Sequence, residues 1–396
     1  MRILLGTATF HPDANGVSTF LQHLAPTLRD RGHEVFVVAP STHCQDERRK
    51  FKDIEVFGIR SLPFPLNSQF RFSISPAIQS LLTREIDAFK PDIIHVQDPF
   101  PICLALLWIA KKRGIPVVGT HHTDVAMYEQ YIKLIPPFFK IHVRRFEWSL
   151  LCWYFSLADA ITAPTASAAA PLYEHGLKEG VQVISNGIDL ERFTHSHNAD
   201  AIRTKYHLPR KPILLTLGRM DSEKHVHHIL EALPLIVQSV DIQFVIAGRG
   251  TAEKKLKKQV KKLGLQDAVT FVGFIPNEDV PELYDIAECF VIASTTETQS
   301  IVTMEAMASG LPIVAANALA LPELVKDGEN GFLFSPGDTK SLAEKVIAIF
   351  SDADLRESMS KKSLAFIEKH EFHHTAEAFE ALYQQVSRKD PTQPPA

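Results

Sequence analysis

The segment LTLGRMDSEKH puts Gly218, Arg219 and Lys224 at the end of an apolar run. A tight glycine turn there would project a rigid guanidinium fork and a flexible ammonium past the carboxyl end of a strand. That pair suits a diphosphate, which needs both fixed geometry and charge. The competing reading is a solvated loop whose charges pair with Asp221 and Glu223. Further on, STTETQSIVTMEAMASGLP places Ser300 as a cap for a helix running to about Ser309, ended by Gly310 and Pro312. The amides of 298–301 would then face an anion. Glu297 precedes this helix and Glu305 lies within its first turns. A carboxylate near a helix start can accept hydrogen bonds from paired hydroxyls, as sugars and riboses present. Glu305 as an ordinary exposed helix residue is disfavoured, because VTMEAMASG is otherwise apolar or small and so expected to be buried.

These residues need strands and helices to hold them. Short β-branched runs alternate with amphipathic segments, the pattern of parallel sheets covered by helices. Strands are expected at Arg2–Gly6, Glu34–Ala39, Ile93–Val96, Pro116–Thr120, Ala160–Ala163 and Val181–Ile184. A second series is expected at Ile213–Leu217, Gln243–Ala247, Ala268–Val272, Cys289–Ala293, Ile313–Ala316 and Gly331–Phe334. Leu21, Leu24 and Leu28 form one stripe of a helix over Val17–Arg31 that stops at Gly32. Further helices are expected over His225–Gln238, Ala252–Leu263, Val280–Asp285, Ile301–Ser309 and Thr339–Phe350. The result is an α/β chain of two Rossmann-like domains, 1–195 and 196–372, facing a central cleft, with a helix at about 373–389 free to pack back on the first. The first βα turn carries no GxGxxG, which argues against an NAD-dependent dehydrogenase.

At 396 residues, with 45% apolar and 22% charged, the chain is long enough for two cores and is neither disordered nor fibrous. Lys+Arg 42 against Asp+Glu 46 leaves a formal net charge of -4, so no global basic field for nucleic acid exists. Cys44, Cys103, Cys152 and Cys289 are scattered, without ligand spacing, and are expected to be buried free thiols of a reducing compartment. No apolar stretch reaches the roughly 20 residues needed to span a bilayer, and the N-terminus lacks a signal-peptide cleavage site. A cytoplasmic protein is expected, with any membrane contact peripheral.

Glu297 and Glu305 form an EX7E motif. Together with GRMDSEK, the NGID of Asn186–Asp189 and EAMASGLPIVA, it resembles retaining GT-B glycosyltransferases, and most nearly family 4, over almost the whole chain. The resemblance implies two Rossmann-like domains with the donor nucleotide on the second. It implies that Arg219 and Lys224 hold the diphosphate, Glu305 the ribose hydroxyls and Glu297 the donor sugar. The amides of Gln299, Ser300, Ile301 and Val302 would support phosphate and sugar. Gly248–Gly250 and Val272–Phe274, with Gly248, Gly273 and Phe274 as the donor contacts, match segments near the base.

The loop HPDANGVSTF resembles the family's Gly-Gly loop, with Asn15 in place of the first glycine and Gly16 kept. GTHHTD resembles a motif with a histidine at the sugar's edge. His122 is the matching position and His121 its rival, while Asp124 either contacts the acceptor or caps the following turn. Ser300 stands where the family commonly has glycine. The implied catalytic set is Glu297, His122, Arg219 and Lys224, with no metal and no cofactor beyond the nucleotide-sugar substrate. A non-catalytic nucleotide-sugar binding protein is the reading from a different class, and intact Glu297, Glu305, Arg219 and Lys224 argue against it.

The stretch YIKLIPPFFKIHVRRFEWSLLCWYF mixes Lys133, Lys140, Arg144 and Arg145 with Phe138, Phe139, Phe146 and Trp148. It is either a helix lying on an anionic lipid surface or a helix packed on the first domain with its bases solvated. IRSLPFP, GTHHTD and the TQS after Glu297 resemble diacylglycerol glycosyltransferases and sulfoquinovosyltransferase-like enzymes, which favours the lipid surface. The expected reaction moves glucose from UDP-glucose to a lipid such as diacylglycerol. The alternative is a mannosyl or other donor and a soluble or polysaccharide acceptor. The run KKLKKQVKK at Lys254–Lys262 reads as a solvated helical face.

Overall fold

The computed structural model describes residues 1–13, 15–64, 67–73, 75–97, 99–122, 137–178, 180–193 and 199–388. The chain divides into two compact units. One comprises Met1–Gly187 with Phe372–Ala396, and the other Ile188–Glu371. The chain therefore crosses at 187–188, ahead of the expected 195, and returns at 372.

In the first unit the strands are β1 (Arg2–Gly6), β2 (Glu34–Pro40), β3 (Glu47–Phe51), β4 (Ile54–Ile59), β5 (Ser61–Phe64), β6 (Asn67–Ser73), β7 (Ile93–Val96), β8 (Val117–Thr120), β9 (Ala160–Ala163) and β10 (Val181–Val183). Eight of them form one sheet in the order β10-β9-β8-β7-β1-β2-β4-β3, parallel except for β3, while β5 and β6 make a separate antiparallel pair. The strands from β3 to β6 were not anticipated. ERRKF is four charged residues and one phenylalanine, with no alternation of apolar and polar types to mark an edge strand, although its side chains alternate in exposure once paired with β4.

One face of this sheet buries Leu4, Val38, Leu106 and Phe155, and the other Leu5, Phe20, Leu24 and Phe379. Leu21, Leu24 and Leu28 of the helix Gly16–Asp30 are fully buried, each contributing roughly 1.5–3 kcal/mol by leaving water. The helix Phe372–Ser387 packs in the same core, and its Glu380 takes Arg31 at 2.6 Å and His33 at 2.7 Å.

The second unit contains β11 (Ile213–Leu217), β12 (Gln243–Ala247), β13 (Val269–Gly273), β14 (Cys289–Ile292), β15 (Ile313–Ala316) and β16 (Gly331–Phe334). They form a wholly parallel sheet in the order β13-β12-β11-β14-β15-β16. Every residue of β12, β14 and β15 is buried, as strands covered on both faces must be. Strand order reverses between β11 and β14. The connections leaving those two strands run to opposite faces, and the crevice opened between them at their carboxyl ends is where such sheets take ligands. The first sheet has the corresponding point between β1 and β7.

The helix Glu253–Leu263 buries Leu256 and Val260 and exposes its lysines, so the KKLKKQVKK run is a solvated face. Cys103, Cys152 and Cys289 are buried, but Cys44 is exposed in the polar loop after β2, contrary to expectation.

Candidate functional site

Both sequence segments singled out in the second unit leave the strands at which order reverses. β11 ends at Leu217 and passes through Gly218 at φ +143° into Arg219–Lys224, while β14 leads into Thr295–Ser300. Lys224 Nζ lies 2.7 Å from Glu297 Oε1, so the two segments meet through an ion pair. Burial, the largest influence on Glu297, pushes its pKa up. The charge and hydrogen bond of Lys224, with Arg219 beyond, outweigh it and hold the carboxylate below its ordinary range. Arg219 reaches Asp221 at 2.6 Å and Glu223 at 3.2 Å. Its guanidinium is thus held in place by the two carboxylates that the competing sequence reading named. Asp221 also accepts hydrogen bonds from Thr251 N at 2.9 Å and Thr251 Oγ1 at 2.8 Å. That bond ties the Arg219 turn to the turn after β12, a link with no signal in the sequence.

The ends of β11, β12 and β13 are drawn together at glycines. Gly248, at φ +124°, donates its N–H to Gly273 O at 2.6 Å, and a Cβ on it would stand 1.9 Å from Gly218 O. Only glycine permits that approach. Phe274, beyond Gly273, is 59% exposed.

Ser300 sits at the start of the helix Ile301–Ala308, as expected, but it does not cap it with its side chain. Its φ of +68° turns Oγ toward Thr303 Oγ1 at 2.8 Å. A left-handed backbone at this position explains why glycine is at home there. Gln299 and Ser300 are buried, and the amides of Ile301 and Val302 belong to the first turn, where no intrahelical acceptor exists.

Glu305 is 8% exposed and accepts a hydrogen bond from the Tyr284 hydroxyl at 3.1 Å. Burial dominates and raises its pKa to about 7, with the Arg192 charge and the tyrosine opposing. The same hydroxyl proton is shared with Val302 O at 2.9 Å, so Tyr284 braces the helix that carries Glu305. Sequence reading missed Tyr284, although a buried tyrosine always needs a partner for its hydroxyl.

In the first unit, Asn15 caps the helix Gly16–Asp30. Its Oδ1 accepts from Ser18 N at 3.0 Å and Thr9 Oγ1 at 3.2 Å. An asparagine in the first glycine's place therefore has a structural task, and Gly16 follows it as the first, exposed helical residue. His122 follows β8, and its Nε2–H donates to Gln97 Oε1 at 2.7 Å, just beyond β7. Its ring stands 5.2 Å from Phe20, whereas His121 packs against Phe155 and Trp148. Of the two histidines, His122 is the one bonded beside the strand reversal. Burial first, then the neighbouring His95 and His121, push the His122 pKa down to about 3, so it is a neutral hydrogen-bonding group. Beneath it, His95 bridges Tyr383 at 2.7 Å and Thr120 at 2.6 Å.

Asp124 and Lys133 lie outside the described residues, as does the side chain of Lys140. In the helix Pro137–Phe155, Arg144 and Arg145 are exposed. Trp148 is 5% exposed and stacks on His175 at 4.5 Å, which corrects its assignment to a lipid-facing surface. It follows the turn of the helix that packs with Leu151, Cys152 and Phe155. Among the described side chains of this helix, Ile141, Phe146 at 67%, Leu150 and Trp153 at 42% are exposed and apolar. Among the described residues, no helix is long and apolar enough to cross a membrane.

Two doubly wound α/β units, the second with paired cations and carboxylates at its strand reversal, have the build of a GT-B glycosyltransferase. Residues 14–192 match the profile of Glycosyltransferase Family 4, and residues 198–365 that of Glycosyl transferases group 1. The chain belongs to this family of glycosyltransferases. It is 29% identical over 378 residues to an alpha-monoglucosyldiacylglycerol synthase of Streptococcus pneumoniae, covering 94% of this chain and 83% of that one. It is 29% identical to the sulfoquinovosyl transferase SQD2 of Arabidopsis thaliana, covering 90% of this chain and 68% of the relative. Among solved structures, the Anabaena protein Alr3699/HepE in complex with UDP superposes with a TM-score of 0.77 at 20% identity, covering 98% of this chain and 100% of that one.

Proposed function

We propose that the protein transfers a hexosyl group, glucose from UDP-glucose, to a membrane lipid such as 1,2-diacylglycerol, with retention at the anomeric carbon. The observation that carries this reading is the Lys224–Glu297 pair at the strand reversal, with Arg219 held beside it. Arg219 and Lys224 are assigned to the diphosphate. They stabilise the negative charge that accumulates as the glycosidic bond breaks, the main electrostatic contribution available. Glu305 is assigned to the ribose hydroxyls and Glu297 to the sugar. Gln299, Ser300, Ile301 and Val302 present the helix start to phosphate and sugar, and Gly248, Gly273 and Phe274 border the base. The leaving diphosphate itself serves as the base for the acceptor hydroxyl, because no second carboxylate is assigned as a nucleophile.

From the first unit, Gly16 and neutral His122 are assigned to the donor's phosphate and sugar edge. His122 acts as a hydrogen-bonding group, since its imidazole stays uncharged at neutral pH. This chemistry uses no metal and no further cofactor.

The lipid acceptor is supported by the synthase of Streptococcus pneumoniae and by exposed Arg144, Arg145, Phe146 and Trp153 on one helix. Bases with exposed apolar side chains suit a peripheral position on an anionic leaflet. The test is to incubate purified protein with radiolabelled UDP-glucose, GDP-mannose and ADP-glucose and with extracted lipids. Label from UDP-glucose is expected in the organic phase. Label that enters only from GDP-mannose, or only into water-soluble products, overturns the donor or the acceptor assignment respectively.

A further inference from the structure

We propose that His225, His227 and His228 form a binding site for one divalent transition-metal ion of the zinc type, which ties the Lys224 turn to the helix that follows it. The three histidines each offer one nitrogen, and these nitrogens all lie within 4.8 Å of one another. Their convergence has a local cause. His225 precedes the helix Val226–Ser239 in a left-handed conformation, at φ +49°, which folds its ring back over the first helical turn. There it stacks on His228, with centroids 5.3 Å apart and planes 3° from parallel, and His227 stands 4.1 Å from His228.

All three side chains are half-buried, so an ion can enter from water and still lose most of its hydration shell. His225 carries a second, independent signal. Its Nε2 lies 3.2 Å from Thr295 Oγ1, while its Nδ1 is buried with no hydrogen-bond partner. A histidine that ligates a metal through one nitrogen almost always has the other held by an oxygen, which fixes the ring and its tautomer. Thr295 supplies that oxygen, and Nδ1 is the nitrogen left for the ion.

The chemistry of the donors selects the ion. Three imidazoles suit zinc, copper or nickel, whereas magnesium and calcium require oxygen ligands. Zinc–nitrogen bonds of about 2.0–2.1 Å put tetrahedral ligands about 3.3 Å apart, so the rings need only swing inward by roughly an ångström. A water or anion completes the fourth position. The site lies outside the assigned transfer chemistry, and its role is to hold the segment from which Lys224 reaches Glu297. It stands whether or not the donor and acceptor are those proposed above.

Tag-free, chelator-treated full-length protein is titrated with zinc by calorimetry and with cobalt(II) by visible absorption, and thermal unfolding is followed with and without zinc. One saturable equivalent is expected, with a cobalt spectrum of tetrahedral nitrogen ligation and a higher unfolding midpoint that chelator reverses. His227→Gln with His228→Gln should weaken zinc binding at least tenfold, and His225→Gln should do so on its own. His373→Gln with His374→Gln, which alters the other histidine-rich cluster, should leave it unchanged. If the double variant at 227 and 228 does not fold, His228→Gln alone replaces it, with the same expected direction. Absence of a saturable equivalent overturns the assignment. So does binding that survives the variants at 225, 227 and 228, or binding that is lost with those at 373 and 374.

Discussion

Lys224 Nζ stands 2.7 Å from Glu297 Oε1, which couples the charge state of the residue assigned to the diphosphate to that of the residue assigned to the sugar. Burial alone would raise the Glu297 pKa, and Lys224 opposes it more strongly than any other group. Removing the lysine should therefore do two things. Lys224→Ala should lower kcat/KM by roughly 100-fold or more, as for a lost charge-stabilising donor. It should also shift the acidic limb of the pH–rate profile to higher pH, because Glu297 then protonates more readily. Lys224→Arg should restore the acidic limb more fully than the rate. A pH profile that does not move in Lys224→Ala separates the two residues.

Arg219→Ala should cost kcat/KM a similar factor of roughly 100 or more. Asp221 keeps its two bonds to Thr251, so the turn should persist and the far-ultraviolet dichroism should not change. Wild-type turnover in this variant removes Arg219 from the site.

Glu305 and Glu297 should separate by what they bind. Ribose is common to donor and product, so Glu305→Ala should weaken UDP binding in calorimetry. Glu297→Ala should spare UDP binding and reduce transfer. Equal weakening by both contradicts the division. The raised Glu305 pKa of about 7 adds a sign to the stability. Against the ordinary value of 4.5, the folded protein holds this proton more tightly than the unfolded chain. The resulting stability is fully present below about pH 4.5 and is lost as pH rises through about 7. Glu305→Gln should thus raise the unfolding midpoint at pH 8 relative to wild type, by free energy on the order of 3 kcal/mol at most, with little gain at pH 5. No difference between the two pH values would show that the carboxyl is not buried as described.

The strands of the second unit were legible because parallel strands covered on both faces are mainly apolar runs; β12, β14 and β15 are buried throughout, and β11 is buried up to Leu217. Glu297, Glu305, Arg219 and Lys224 stand out in the sequence through motif spacing, and the structure sets Lys224 beside Glu297. Ser300 was not, because sequence cannot tell a capping serine from one at φ +68° whose hydroxyl turns to Thr303. Tyr284 and Thr251 reach the site by tertiary contact alone. Trp148 was misassigned because an apolar helix with bases has no periodicity that marks which aromatic faces the core. Its neighbours Leu151, Cys152 and Phe155 decide that.

The close approach of Gly248 to Gly218 sets a backbone test that is independent of any assigned ligand. Gly248→Ala must place a Cβ 1.9 Å from Gly218 O at a φ of +124°. Strain and overlap together should cost roughly 2–6 kcal/mol. The unfolding midpoint should fall markedly, while Gly264→Ala, at a helix end with open space around it, should fall far less. Equal effects would mean that the strand ends are not drawn together as found.

The helix Pro137–Phe155 offers the last test, and the burial of Trp148 decides how it is built. Lys133, Lys140, Arg144 and Arg145 should each contribute about 1 kcal/mol of attraction near an anionic leaflet, screened over a Debye length of about 10 Å at 0.1 M salt. Phe146 and Trp153, both exposed, should add an apolar component that salt does not weaken. Binding to liposomes should then rise with anionic lipid, fall as salt rises, and retain a residue at high salt. Replacing the four bases with Gln should remove the salt-sensitive part and leave donor hydrolysis in solution unchanged. Phe146→Ser with Trp153→Ser should remove the residue that persists at high salt. Trp148→Ser should act differently, lowering the unfolding midpoint by emptying its place on His175. If the four-base variant binds anionic liposomes as the parent does, the bases are only solvated, and the lipid acceptor rests on the relatives alone.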